Sequence, residues 1–261
     1  MSGYSLRGLH WFNALSAGAS VVEGLPPSLK VADAELGRFI AVVADPDNRF
    51  PRARNGEVGL LEGWGLAKVV DHAISADRDS AQKRPIIAIV DVPSQAYGRR
   101  EEALGIHQAL AGAADSYARA RLAGHPVIAL LVGKAMSGAF LAHGYQANRL
   151  IALRDPGVMV HAMGKASAAR VTLRSVEELE ALASSVPPMA YDIDSYASLG
   201  LLWETLSVQQ IEQPTEEDLT RVTECLKQAI SDVTSTDLKG RLGASNRAAS
   251  SKVRELLRAQ W

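Results

Sequence analysis

A single cysteine, Cys225, occurs among the 261 residues. An internal disulfide is therefore excluded, as is a cysteine-built zinc site, and the count fits a reducing compartment. Aromatic residues make up only 5%, so aliphatic side chains must build most of the core. No stretch approaches the roughly 18 consecutive apolar residues that a membrane span requires. The opening MSGYSLRGLHW also lacks the long apolar segment of a secretory signal. Net charge is nearly absent: 28 basic residues against 29 acidic ones leave -1, with the signs interleaved. A nucleic-acid partner would call for a basic face, and none is expected. The expectation is a cytoplasmic protein with no membrane span, no nucleic-acid partner and no metal site.

What is present is a large aliphatic fraction, 47% counting all hydrophobic types, enough to fill one large domain. Three short apolar runs stand out: RFIAVVAD (38–45), RPIIAIVDV (84–92) and HPVIALLVG (125–133). None alternates with polar residues, which is how strands buried on both faces read. A helix is expected between the first two, from about Asn55 as N-cap to Asp77, with Leu60, Trp64, Ala67, Val70 and Ile74 on its apolar face. Another is expected over 101–123, with Leu104, Ala111, Ala114, Ala118 and Leu122 inward and Gly124 at its end. A small-residue helix over about 138–147 and short strands at 149–153 and 157–162 follow. Strands alternating with helices predict right-handed βαβ units and a mainly parallel sheet. The last third reads as helical. Ser175 opens a helix to about 185, Thr215 opens one to about 233, Pro187-Pro188 breaks the chain between them, and a charged, alanine-rich tail covers 241–261.

In an open parallel sheet, sites form at the carboxyl ends of strands. The second run leads into Asp91-Val92-Pro93-Ser94-Gln95-Ala96-Tyr97-Gly98, and the third into Gly133-Lys134-Ala135-Met136-Ser137-Gly138-Ala139, which opens a helix at once. A tight turn of small residues at a helix start exposes backbone N–H groups, a setting that favours an oxyanion such as a thioester oxygen gaining charge. Close helix–sheet packing is the competing use of the same residues.

Taken together, IVDVP and GKAMSGAF resemble the C-terminal half of carboxyltransferases of the crotonase superfamily. YSLRGLHWFNAL (4–15) and DPDNRFPRARNGEVGLLEGWGLAK (45–68) narrow the resemblance to the gamma subunit of biotin-independent malonate decarboxylase. It runs over essentially the whole chain. The resemblance implies a crotonase- or Clp-like spiral of ββα units in an α/β fold, mainly parallel, with a helical C-terminal region. It further implies one carboxyltransferase-like domain over 1–261, with 208–261 as a helical extension. The implied partners are a beta subunit (an obligate heterodimer or higher), an acyl carrier protein subunit and an acyl-carrier transferase subunit. The implied reaction converts malonyl to acetyl thioester and CO2 on a phosphopantetheine-like arm derived from dephospho-CoA. No cofactor is expected on this chain, and no biotin.

Carried over by position, Ser137, Gly138 and Ala139 would supply the oxyanion donors, with Pro93 and Ser94 on the facing turn. Gly133, Lys134, Met136 and His161 would border the substrate. Where the wider family reads Gly-Gly this chain reads Ser137-Gly138, so a positive φ at the first position would strain the serine. Arg49, Arg52 and Arg54 are candidates for phosphates of the arm or an acidic patch of the carrier, with a solvated loop as the plain alternative. Arg99 and Arg100 are weaker, since Glu101 and Glu102 can pair with them. Ser137 and His161 also invite a Clp-type nucleophile–base reading, but the peptidase pattern sets its serine before Met-Gly and its spacing is one residue longer. His161 otherwise reads as structural or as a proton donor, and His143 as a packing residue. Gly59, Gly63 and Gly65 imply close approach of another backbone, internal or a partner's. Trp64 reads as core, Trp11 and Trp261 as interface anchors, and Asp192 and Asp194 as loop solvation. The alternatives are the alpha half of a biotin-dependent carboxyltransferase, a Clp-like peptidase, and a scaffold that only shapes a partner's site.

Overall fold

A computed structural model describes residues 3–236, 238–241 and 244–261. Helix α1 (Arg7–Leu15) precedes the short strands β1 (Ser20–Val21), β2 (Leu29–Ala34) and β3 (Gly37–Val42). Helix α2 (Leu60–Ala76), strand β4 (Ile86–Val92), helices α3 (Arg99–Ala103) and α4 (Ile106–Leu122), and the long strand β5 (Val127–Met136) follow. Then come α5 (Ser137–Ala142), β6 (Arg149–Leu153), β7 (Met159–His161), α6 (Lys165–Val171), α7 (Val176–Ala183), α8 (Ile193–Ser198) and β8 (Glu204–Leu206). Helices α9 (Glu216–Ser231) and α10 (Ala248–Gln260) end the chain.

The sheet runs β1-β2-β3-β4-β5-β6-β8, antiparallel among the first three strands and parallel from β3 onward. Strand β5 belongs to two neighbourhoods. Its first half, Ile128–Leu131, pairs with β6, whereas Lys134–Met136 pairs in parallel with β7. This change of partner comes at the end of β5, where the candidate turn lies. Every residue of β3, β4 and β5 except Lys134 is buried, so both faces of the central sheet are covered, as the unalternating runs predict. Helix α9 adds Val222, Cys225, Leu226 and Ala229 to the same core. The caps at Ser175 and Thr215 form as expected, each accepting from the N3 backbone while Glu178 and Asp218 reach back.

Several expectations need correction. The helix expected from Asn55 starts at Leu60, because Glu62 provides the cap. Its buried carboxylate accepts from Gly59 N–H, the Ser28 hydroxyl and Asn48 Nδ2, tying the 45–59 loop to α2. The helix expected over 101–123 is broken at Gly105, which adopts φ 82°. Its inward face is Ile106, Ala109, Ala113, Tyr117 and Ala120, while Leu104 and Leu122 are exposed. Trp64 is exposed and lies over Gly112 of α4. Trp11, by contrast, is fully buried and donates to the carbonyl of Ile211 at 2.8 Å. The backbone that approaches Gly63 is internal: a Cβ there would lie 2.8 Å from Ala109 C and O. Strand β1 is too short, with two residues, and β2, LKVADA, is too mixed to have announced itself in the sequence.

His143 is the packing residue expected of it. The Tyr117 hydroxyl donates to Nδ1 and Nε2–H donates to the carbonyl of Ile89, at 3.0 and 2.9 Å. Complete burial pushes its pKa down to about 4, so the folded protein keeps it neutral. Protonation therefore favours the unfolded chain, in which the imidazole titrates near its ordinary value. The stabilisation is full above about pH 6.5 and is lost as pH falls toward 4, a loss of about 3 kcal/mol. In an NMR titration the His143 imidazole should still be neutral at pH 5, and a midpoint near 6.5 would refute this account.

Candidate active site

The end of β5 takes its shape from one residue's backbone. Strand geometry runs through Met136, so Gly133–Met136 are strand rather than turn, and α5 begins directly at Ser137. Ser137 makes the change of direction with φ 62°. For a residue with a Cβ this left-handed conformation costs on the order of 1 kcal/mol, so the strain foreseen at this position is real. Helix α5 has only six residues, so its dipole adds little to the field at the turn. Gly138 N–H donates to Oε1 of Gln95 at 2.8 Å.

Ser137 and Gly138 open onto a cavity of about 460 Å³ that also takes in His161. Its remaining walls are mostly apolar, including Phe140, Leu141, Val160, Pro187 and Leu201. The His161 ring stacks on Tyr191 with centroids 3.9 Å apart, and its Nδ1 faces the peptide groups of Met163. Burial lowers its pKa, against a smaller opposing effect from the Met163 carbonyl. Among the described residues the Ser137 hydroxyl makes no hydrogen bond to His161, so no nucleophile–base pair is assembled. Tyr196, also in the wall, has a buried hydroxyl with no hydrogen-bond partner among the described residues.

Other sequence candidates lie around this cavity rather than in it. Ala139 is fully buried in the core, and Met136 is 5% exposed. Gly133 exists to admit Asp91: a Cβ there would fall 2.0 Å from Asp91 Oδ1. That carboxylate accepts from Lys134 N–H at 3.1 Å and Gly8 N–H at 3.2 Å, binding α1 to the strand ends. Lys134 itself points to solvent. Pro93 and Ser94 lie at the exit of β4, where the Ser94 carbonyl accepts from Val58 N–H. Arg49, Arg52 and Arg54 are exposed, and Arg54 Nε donates to the Asn48 carbonyl. The fold brings Arg100 to them. The guanidinium carbons of Arg49 and Arg100 sit 5.1 and 5.3 Å from the Phe50 ring centre, and Arg52 lies along Gly98. Among the described residues neither Arg99 nor Arg100 forms an ion pair, and Glu101 is buried. Sequence reasoning passed over Asp91 and Gln95 as functional residues. Both stand in the quoted turn, yet only the crossing from β4 to β5 reveals what they hold.

The family described as "Malonate decarboxylase gamma subunit" (MdcE) matches residues 53–261. The chain belongs to that family. It is similar, at 72% identity and a TM-score of 0.93 over 98% of this chain and 99% of the other, to a chain in the crystal structure of a Pseudomonas malonate decarboxylase hetero-tetramer in complex with coenzyme A. It is 36% identical over 182 residues to a malonyl-S-ACP:biotin-protein carboxyltransferase from Malonomonas rubra; the match takes in 67% of this chain and 62% of that protein's length. At 19% identity, the transcarboxylase 12S core shares the fold alone, with a TM-score of 0.62 over 88% of this chain and 42% of that one. The architecture is thus the expected carboxyltransferase-like α/β spiral of the crotonase type. Among the described residues no helix is long and apolar enough to cross a membrane, and no group of three His, Cys, Asp or Glu side chains is placed to hold a metal.

Proposed function

We propose that this chain is one half of a decarboxylation site in the cytoplasm, completed by a beta subunit of carboxyltransferase type. The substrate is malonyl carried as a thioester on a phosphopantetheine-like, dephospho-CoA-derived arm of an acyl carrier protein, which a transferase subunit loads. The bond between the α-carbon and the carboxylate breaks, CO2 leaves, and the bonding pair enters the thioester as an enolate. A proton then adds at carbon to give the acetyl thioester. The observation that carries this reading is the left-handed Ser137, which sets Gly138, with its N–H bonded to Gln95 Oε1, at the edge of a cavity of mostly apolar walls. In such surroundings a fixed donor stabilises developing negative charge far better than water-exposed groups do. It also needs no reorganisation as the charge appears.

The proton donor belongs to the partner in this reading, because no acid–base pair is assembled at the turn among the described residues. His161 serves as a neutral wall residue that keeps its ring against Tyr191. Arg49, Arg52 and Arg54, joined by Arg100, take the phosphates of the arm or the acidic face of the carrier. The test is reconstitution. The isolated chain should release no CO2 from malonyl thioester, and co-expression with a beta-type partner should give a stable, active complex. Turnover by the isolated chain would refute the shared site. A second reading has one finding in its favour, since the Malonomonas rubra relative is named a biotin-protein carboxyltransferase. Avidin separates the two: acetyl formation that survives it requires no biotin, whereas loss of activity would favour carboxyl transfer.

A further inference from the structure

The Gly138 N–H already has an acceptor, and that acceptor resembles a substrate. Gln95 Oε1 is an uncharged carbonyl oxygen, the same kind of atom as the oxygen of a thioester, and it stands 2.8 Å from the amide nitrogen. One N–H supports one well-aligned bond at that length, so Gln95 and a thioester oxygen exclude each other. The Gln95 backbone is held in place. Val58 N–H donates to the Ser94 carbonyl, Ala96 N–H donates to the Val58 carbonyl, and the Gln95 carbonyl accepts from Tyr97 N–H and the Ser94 hydroxyl. Its side chain is free to leave. The residue is half-buried, and among the described residues Nε2 has no hydrogen-bond partner. Swinging away therefore breaks a single bond and gives a carboxamide that water can satisfy.

We propose that Gln95 is a positioning residue that stands in for the substrate's carbonyl oxygen in the empty enzyme and is displaced by the thioester. The inference rests on the reading of Gly138 as an oxyanion donor. Two consequences follow from the geometry. The bond satisfies the part-buried Gly138 amide beside the strained Ser137 turn before any acyl group arrives. It also competes with substrate, so Gln95 raises KM.

The test uses the complex reconstituted with the beta-type partner and a malonyl thioester. Gln95→Ala should lower KM about 3- to 10-fold, the scale of removing one neutral hydrogen bond from the competing state, with the gain carried by KM rather than kcat. Gln95→Glu should raise KM, since a carboxylate accepts more strongly from the same N–H and repels a developing anion. Without substrate, hydrogen exchange at the Gly138 amide should quicken in Gln95→Ala. An unchanged or higher KM in Gln95→Ala, or unchanged exchange, would overturn the proposal; a fall in kcat would mean that the carboxamide assists the reaction instead. Failure of the wild-type complex to decarboxylate would remove the reading of the site, while the exchange measurement would still decide whether Gln95 covers the amide.

Discussion

Gly138→Val in the assembled complex should cut decarboxylation about 100-fold or more, the scale of losing one oxyanion donor. A Cβ at this position would lie 3.2 Å from Gln95 Oε1, 3.4 Å from its Cδ and 3.5 Å from Leu110 Cδ1. Those neighbours can yield by a few tenths of an ångström to a single methyl, and Gly138 is not among the residues with positive φ. Gly138→Ala should therefore keep most of its turnover. The additional methyls of valine reach beyond that Cβ, and the expected result is that the 137–139 amides are pushed out of line. Steady-state release of CO2 from the wild type and the two variants measures the series. Turnover by Gly138→Val close to the wild-type rate would show that the turn serves packing alone.

The largest effect on stability is expected at Gly133. Its added methyl would fall 2.0 Å from Asp91 Oδ1 and 2.4 Å from Cγ, well inside contact distance, so the carboxylate must leave. Asp91 is only 7% exposed and accepts from Gly8 and Lys134 N–H. Evicting it breaks both bonds and leaves a buried charge without partners, for which a loss of about 3 to 5 kcal/mol is expected. Chemical unfolding of Gly133→Ala against the wild type gives the value. A loss below about 1 kcal/mol would mean that Asp91 finds equivalent partners elsewhere. Gly133, a candidate substrate neighbour on sequence grounds, acts here through the carboxylate it admits.

Much of the fold was legible because burial on both faces leaves a direct mark. RLIAL reads as a strand and is β6 over the same residues, and the Ser175 and Thr215 caps announce α7 and α9. The misreadings are equally physical. On the 101–123 stretch the small residues Ala111, Ala114 and Ala118 make an apolar stripe of their own beside the true one, and a single glycine inside a helical pattern, although unfavourable there, does not by itself mark Gly105 as a break. Trp64 looks like core by size, yet the approach of α4 at Gly63 and Gly112 leaves its ring on the outside. Of the candidate site, Ser137, Gly138 and His161 share a cavity, whereas Gly133, Lys134 and Met136 serve the strand that precedes it.

By itself the sequence determined the family, through long stretches such as 45–68, and the parallel α/β character, through three apolar runs without alternation. It also marked Ser137 as a place where a side chain would meet a strained backbone. Only the tertiary structure decided what that strain accomplishes. Hydrogen bonds between Asp91 and Lys134, and between Gln95 and Gly138, each span 43 residues. No local periodicity encodes such pairs, because they arise from the register of β4 against β5 and from the bulge between Val90 and Val92. The sequence placed donors at a turn, and the crossing of two strands determined which of them already has an acceptor.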